Sequence, residues 1–175
     1  MKKAIFLDRD GVIIRAYAVQ GVSIPPKTLS EVEILEGVSE SIATLKKASF
    51  EIVVVTNQPD VSRGTTTREF VDSVHMMLRQ ELGIQNFYTC FHDNGDFCGC
   101  RKPKDGLLRS AAQDLGIELS SSYLVGDRWR DIGAGQSAGC ACYFIDYSYA
   151  EPSPKMPFKR VFSLAEATRD IIGES

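Results

Sequence analysis

The chain has 175 residues, 43% of them hydrophobic and 25% charged, with a formal net charge of −3. That length supports one sizeable core and gives little reason to expect two domains, so residues 1–175 are read as a single domain and a monomer is expected. A pI near 5.4 excludes the global basic field that tracks a nucleic-acid polymer, so no nucleic-acid partner is expected.

Short apolar runs rich in β-branched and aromatic residues alternate with helix-period segments, which predicts an α/β domain with a mainly parallel central sheet. Lys2-Lys3 precede only Ala4-Ile5-Phe6-Leu7, too brief a run for a signal segment, and no later run reaches membrane-spanning length. A cytoplasmic protein with no membrane partner is the expectation. The first strand, 3–7, ends at Asp8-Arg9-Asp10-Gly11. In extended chain Asp8 and Asp10 face one site with Arg9 turned away, and Gly11 permits a tight exit. Residues 16–29, with Pro25-Pro26, read as a loop. Val38, Ile42 and Leu45 form the stripe of a first helix. A strand over 51–55 then leads into Thr56-Asn57-Gln58.

Phe70, Val74, Met77 and Leu78 mark a second helix, in which His75 reads as an exposed or partly buried residue without a role. Strand 86–91 runs into a stretch dense in Cys and His, followed by Arg101-Lys102-Pro103. Leu107, Leu108, Ala111, Ala112 and Leu115 form a third helix ended by Gly116. Strand 122–126 meets Gly126-Asp127-Arg128, and 131–138 is a short helix. Strand 140–145 carries Cys140 and Cys142, which read as small core residues. Residues 147–159, with three prolines, read as a loop before a last helix over 164–172.

Cys90, His92, Cys98 and Cys100 fall within eleven residues. Thiolates and an imidazole at such spacings satisfy the tetrahedral N/S preference of Zn²⁺, and four protein ligands leave no open position for a catalytic water. The zinc is therefore read as structural. A disulfide or a chance cluster is the weaker reading in a chain with no secretory signal. Cys100 adjoins Arg101-Lys102, so metal binding would remove loop entropy that ligand binding must otherwise overcome.

The polar residues cluster where predicted strands end, which is where open parallel sheets place their ligands. Singly they are weak signals, because Asp pairs are usually solvated, a Thr after a strand often caps a helix and a Lys is mostly surface charge. In this order and spacing they resemble the haloacid dehalogenase superfamily of phosphatases, with Asp-x-Asp-Gly at 8–11, Thr56, Lys102 and the Gly126-Asp127 motif. The resemblance covers about residues 3–145 and implies a Rossmann-like three-layer fold. The segments between motifs leave no room for a large cap domain. Phe-Leu-Asp-Arg-Asp-Gly at 6–11, Thr-Asn-Gln with Arg-Gly at 56–64 and the Cys-x-His…Cys-x-Cys-Arg-Lys-Pro loop at 90–103 resemble the heptose-1,7-bisphosphate and histidinol-phosphate phosphatase families. The short loop between His92 and Cys98 is closer to the histidinol-phosphate type, whereas the absence of a fused dehydratase favours the heptose type. Ile24-Pro25-Pro26-Lys27 departs from the pattern where family members contact substrate.

The resemblance implies, and the residue chemistry allows, a carboxylate nucleophile at Asp8 that forms a phosphoaspartate. Asp10 is then the general acid and base. Mg²⁺ would be held by Asp8, the Asp10 carbonyl and Asp127, with Asp131 behind them. Thr56 and backbone amides at 57–58 would bind phosphate, and Lys102 would offset its charge. Asn57, Gln58, Arg101 and Arg128 are expected to contact substrate, a small sugar phosphate. Arg101, Arg128 and Lys27 exceed what one transferred phosphate needs, which favours a heptose 1,7-bisphosphate losing its 7-phosphate. Acidic Asp93 and Asp96 in the zinc loop keep histidinol phosphate, with its ammonium, as the alternative. A phosphoaspartate receiver-like switch is the non-enzyme alternative, and an acid/base two residues after the nucleophile argues against it.

Overall fold

The structure is a computed structural model and describes residues 1–173. Six strands form one parallel sheet: β1 (Lys3–Leu7), β4 (Phe50–Asn57), β5 (Asn86–Cys90), β6 (Tyr123–Gly126), β7 (Ala141–Ile145) and β8 (Lys159–Val161). Between β1 and β4 lie a two-stranded hairpin, β2 (Tyr17–Val19) and β3 (Val22–Ile24), and helix α1 (Val38–Lys47). The remaining helices are α2 (Arg68–Leu82), α3 (Gly106–Leu115), α4 (Trp129–Ala138) and α5 (Leu164–Ile172). Sheet order is β5-β4-β1-β6-β7-β8, the doubly wound Rossmann arrangement with its reversal between β1 and β6.

Alternation along the buried strands sorts side chains into two cores, one on each face of the sheet. Ile5 and Leu7 of β1, with Ile52 and Val54 of β4, pack against Val38, Ile42 and Leu45 of α1, Val74 and Leu78 of α2 and Leu164 of α5. Ala4 and Phe6, with Val53 and Val55, pack instead against Leu107, Leu108 and Ala111 of α3 and Ile132 of α4. The result is three layers, with no inserted cap domain between the motifs. Thr67 caps α2 by accepting from the Phe70 amide at 3.1 Å, and left-handed glycines at 83, 116 and 139 end α2, α3 and α4.

Several expectations need correction. The loop over 16–29 contains the β2–β3 hairpin, turned by Gln20 and Gly21, both at positive φ. Such a two-residue turn is usually signalled by Asn-Gly or Asp-Gly, and Gln gives no such cue. Strand β8 was not predicted either, being three residues long with two of them exposed. His75 is 5% exposed and stacks on Phe87 with ring centroids 4.5 Å apart. Arg9 does not turn away. It is 1% exposed and folds back onto its neighbour, donating from Nε to Asp10 Oδ2 and from Nη2 to Asp10 Oδ1, both at 3.2 Å. Cys140 and Cys142 are buried free thiols, as small core residues would be.

Candidate active site

The carboxyl ends of β1, β4 and β6 deliver their polar residues to one place. The β1–β6 ladder continues past the strand, with the Asp8 amide donating to the Val125 carbonyl at 3.1 Å, so Asp8 leaves the sheet beside Asp127. Asp8, Asp127 and Asp131 each present a carboxylate oxygen within 4.8 Å of the others. Close approach is possible because Gly11, at φ 89°, has no side chain; a Cβ there would lie 2.0 Å from Asp127 Oδ2.

Lys102 is the counterion. It is buried, donates to Asp8 Oδ1 and the Val55 carbonyl at 2.8 Å each, and pairs with Asp131 Oδ1 at 2.5 Å. Asp131 Oδ2 accepts from the Arg128 amide at 3.0 Å, so this carboxylate both caps α4 and anchors Lys102. Burial, reinforced by Asp131, pushes Asp8 up to about 6, with Lys102 pulling the other way. Burial first, then Asp8 and Asp131, holds Asp127 well above the usual carboxylate range. Asp127 Oδ1 is buried with no hydrogen-bond partner.

These features fit a divalent cation. Three crowded carboxylates with one orphaned oxygen supply the hard anionic ligands that Mg²⁺ takes, and a cation would offset the repulsion that now raises two of them. The expected Mg²⁺ set was Asp8, the backbone carbonyl of Asp10, and Asp127. The Asp10 side chain is engaged elsewhere, with Arg9 and with Gln58 Nε2 at 2.8 Å, and the carboxylate that joins Asp8 and Asp127 in the cluster is Asp131.

Thr56 and Gln58 lie beside this cluster. Gln58 Nε2 donates both to Asp10 Oδ2 and to Thr56 Oγ1, the latter at 2.9 Å, leaving the buried Thr56 hydroxyl proton free to turn toward a ligand. The Gln58 backbone amide was expected to face phosphate. It donates instead to the Cys90 carbonyl at 2.7 Å, because the β4–β5 ladder runs on by one residue. Asn57 clamps the Lys102 peptide, accepting from its amide and donating to its carbonyl at 3.1 Å each. Its side chain thus ties β4 to the loop that carries Lys102.

That loop holds the four soft ligands together. Cys100 Sγ is 3.2 Å from Cys90 Sγ and 3.4 Å from His92 Nδ1, Cys90 Sγ is 3.5 Å from His92 Nδ1, and Cys90 and Cys98 are 3.9 Å apart. A tetrahedron with Zn–S of about 2.3 Å has S–S edges of roughly 3.8 Å, so the cluster fits zinc with modest adjustment. Burial raises the Cys98 thiol, but amide donors from Arg101 and Cys100 outweigh it and bring the group down to about 7.

A cleft of ≈ 470 Å³ opens over Asp8, Asp10 and Lys102 and is lined by Ser23, Ile24, Pro26 and Lys27 of the hairpin segment and by Arg101 and Arg130. Arg101 Nε and Arg130 Nη1 share one neutral acceptor, Asn94 Oδ1, at 3.1 and 3.2 Å. Burial, then the Arg130 charge, depresses the Arg101 pKa, and the Arg130 Nε is a buried donor without partner. Arg130 was not singled out in the sequence; its place two residues after the N-cap of α4 carried no distinguishing signal. Arg128 also lines the cleft, with its guanidinium drawn onto Glu151 Oε2 at 2.5 and 3.0 Å.

Residues 26–139 match the family model for haloacid dehalogenase-like hydrolases. The chain is 32% identical over 152 residues to the D-glycero-beta-D-manno-heptose-1,7-bisphosphate 7-phosphatase of Haemophilus ducreyi, covering 79% of each chain. It is 33% identical to the enzyme of that name from Escherichia coli, over 77% of this chain and 74% of that one. The crystal structure of the D,D-heptose 1,7-bisphosphate phosphatase from B. bronchiseptica, complexed with magnesium and phosphate, superposes with a TM-score of 0.85 over 99% of both chains at 28% identity. With its motifs joined at the strand ends and this relatedness over most of its length, the chain belongs to the haloacid dehalogenase-like hydrolases and is one of their phosphatases.

Proposed function

We propose that this phosphatase removes the 7-phosphate of D-glycero-D-manno-heptose 1,7-bisphosphate and retains the 1-phosphate. The observation that carries the reading is the Arg101–Arg130 pair. Two guanidiniums converge on a single neutral oxygen in the wall of the cleft that exposes Asp8 and Lys102, an arrangement that is repulsive until an anion joins it. A substrate with one phosphate at Asp8 and a second at the arginines supplies that anion. Relatives named for the same reaction support this choice. Histidinol phosphate loses its main attraction, because the loop acids are already satisfied. Asp93 makes a two-pronged pair with Arg63 at 2.6 and 2.7 Å that brings it down to about 2, and Asp96 Oδ2 accepts from the Asp93 amide.

In this reading Asp8 is the nucleophile. Lys102 holds its Oδ1 at 2.8 Å, which leaves Oδ2 to attack phosphorus. Thr56 donates its hydroxyl to the phosphate and Lys102 offsets charge in the transition state. Asp10 gives a proton to the departing sugar oxygen, then takes one from the water that splits the phosphoaspartate and frees Asp8. Asp8 and Asp127 hold the Mg²⁺, which when bound draws charge from the phosphoryl oxygens and reduces the repulsion between the two anions. Asp131 sets Lys102 and the start of α4. Cys90, His92, Cys98 and Cys100 hold a structural Zn²⁺ that fixes Arg101 and Lys102. The site is built from the strand ends of one sheet, which suits a single-domain monomer, and four Cys/His side chains set as zinc ligands suit the reducing cytoplasm. No helix among the described residues is long and apolar enough to cross a membrane.

The test is kcat/KM for the bisphosphate, for histidinol phosphate and for an aryl monophosphate, in wild type, Arg101→Ala and Arg130→Ala. Each arginine deletion should cost the bisphosphate roughly 10–100-fold, the worth of a charged hydrogen bond, and leave the aryl ester nearly unchanged. A preference for histidinol phosphate, or equal losses on all three substrates, would overturn the assignment.

A further inference from the structure

Asp127 is 1% exposed, so its two oxygens depend on partners inside the protein. Oδ1 has none, and Oδ2 accepts from the phenol of Tyr149 at 2.8 Å. Gly11 lies directly against Oδ2, so no side-chain donor reaches it from that side. Tyr149 belongs to the segment after β7, which reads in the sequence as a plain loop. Three further bonds fix this segment. Tyr147 donates to the Gly11 carbonyl at 2.9 Å, the Ala150 amide donates to the Gly21 carbonyl of the hairpin at 2.8 Å, and Glu151 accepts from Arg128 Nε at 3.0 Å. The Tyr147 and Tyr149 rings lie 5.6 Å apart, so the two phenols brace one another.

We propose that Tyr149 is a positioning residue for the metal centre: its phenol pins Asp127 Oδ2 and so presents the unpartnered Oδ1 as the oxygen that takes the divalent cation. The inference rests on the reading of Asp127 as a Mg²⁺ ligand given above. A carboxylate facing Asp8 and Asp131 within 4.8 Å is driven by repulsion to turn away from them, and rotation about its Cβ–Cγ bond is otherwise soft. A donor behind it opposes that rotation. A phenol suits the task because it donates a hydrogen bond without adding positive charge, so the cluster keeps its attraction for a cation while Lys102 remains its counterion. The strap also joins the cleft-lining hairpin to the metal centre through Gly21 and Ala150.

Metal-stripped wild type, Tyr149→Phe and Tyr147→Phe would be titrated with Mg²⁺ by calorimetry and with Mn²⁺ by paramagnetic resonance. Tyr149→Phe should raise the dissociation constant about 10–100-fold, as loss of a bond behind a metal ligand does, while its metal-free melting temperature falls only by the few degrees that one lost buried hydrogen bond costs. Saturating Mg²⁺ should restore most of kcat. Tyr147→Phe, which loses a strap bond without touching Asp127, should keep wild-type Mg²⁺ affinity. Unchanged affinity in Tyr149→Phe, or an equal loss in Tyr147→Phe, overturns the inference while leaving the phosphatase reading in place. If wild type itself binds no Mg²⁺, the metal reading falls and this inference with it.

Discussion

Lys102 meets Asp8 and Asp131 at once and is itself buried, so one ammonium carries much of the electrostatic balance of the site. Its charge is held firmly, because the two carboxylates outweigh the cost of burial and raise its pKa. Lys102→Met should therefore leave buried anions unpaired, lowering stability by about 3–5 kcal/mol as well as abolishing turnover; urea unfolding and phosphate release measure the two separately. Asp10 stands apart, held by Arg9 and Gln58 instead of by the acid cluster. Asp10→Asn should slow turnover by roughly 10²–10⁴-fold without weakening Mg²⁺ binding, and an equal loss of metal affinity would show that its carboxylate is a ligand after all. At this scale the motif residues were legible in the sequence because strand ends and spacing announce them. Their partners were not. That Gln58 bridges Thr56 and Asp10, that Asn57 clamps Lys102 and that Arg9 returns to Asp10 depend on side-chain directions that no spacing records.

The Cys/His loop is the element on which the proposed site most depends. It leaves β5 at Cys90 and delivers Arg101 and Lys102, and it is fixed to β4 by the Asn57 clamp and to β5 by the four soft ligands. Cys98→Ser should lower the melting temperature and reduce kcat/KM together, and zinc analysis of the variant should fall well below one equivalent. Full activity in zinc-free protein would show that the hydrogen bonds of the loop suffice. This cluster was legible because Cys and His are rare residue types, so four of them at short spacing stand out by chemistry alone. The β2–β3 hairpin was not, since a Gln-Gly turn and short exposed strands resemble any polar loop. The hairpin lines the cleft through Ser23 and Ile24, so the sequence located the reacting groups better than the surface that selects the substrate.

The whole molecule is a sheet covered on both faces, and its one buried histidine has a consequence for acid stability. His75 lies on the buried face of α2 against Phe87, and burial, with Arg9 adding to it, brings it from 6.5 down to about 3. Below about pH 6.5 the unfolded chain binds a proton that the folded protein refuses, so stability present at neutral pH is lost as pH falls, by about 1.4 kcal/mol per unit until the folded value is reached. His75→Phe keeps the stack and removes the titration, so its stability relative to wild type should improve by about 2 kcal/mol between pH 7 and pH 5 in parallel denaturant titrations. A constant difference across that range would mean that the imidazole is accessible to protons. Apart from the hairpin and β8, the architecture was legible because two-sided burial gives parallel strands nearly continuous apolar runs and helices a clear stripe. The central claim is that Asp8, at the end of β1, becomes phosphorylated in turnover. Its most direct test is acid-quenched single turnover of bisphosphate labelled at the 7-phosphate, followed by peptide mapping. The expected result is label on Asp8 that rises and decays at the rate of turnover and is absent from Asp8→Asn, whereas label on no residue, or wild-type turnover by Asp8→Asn, would contradict it.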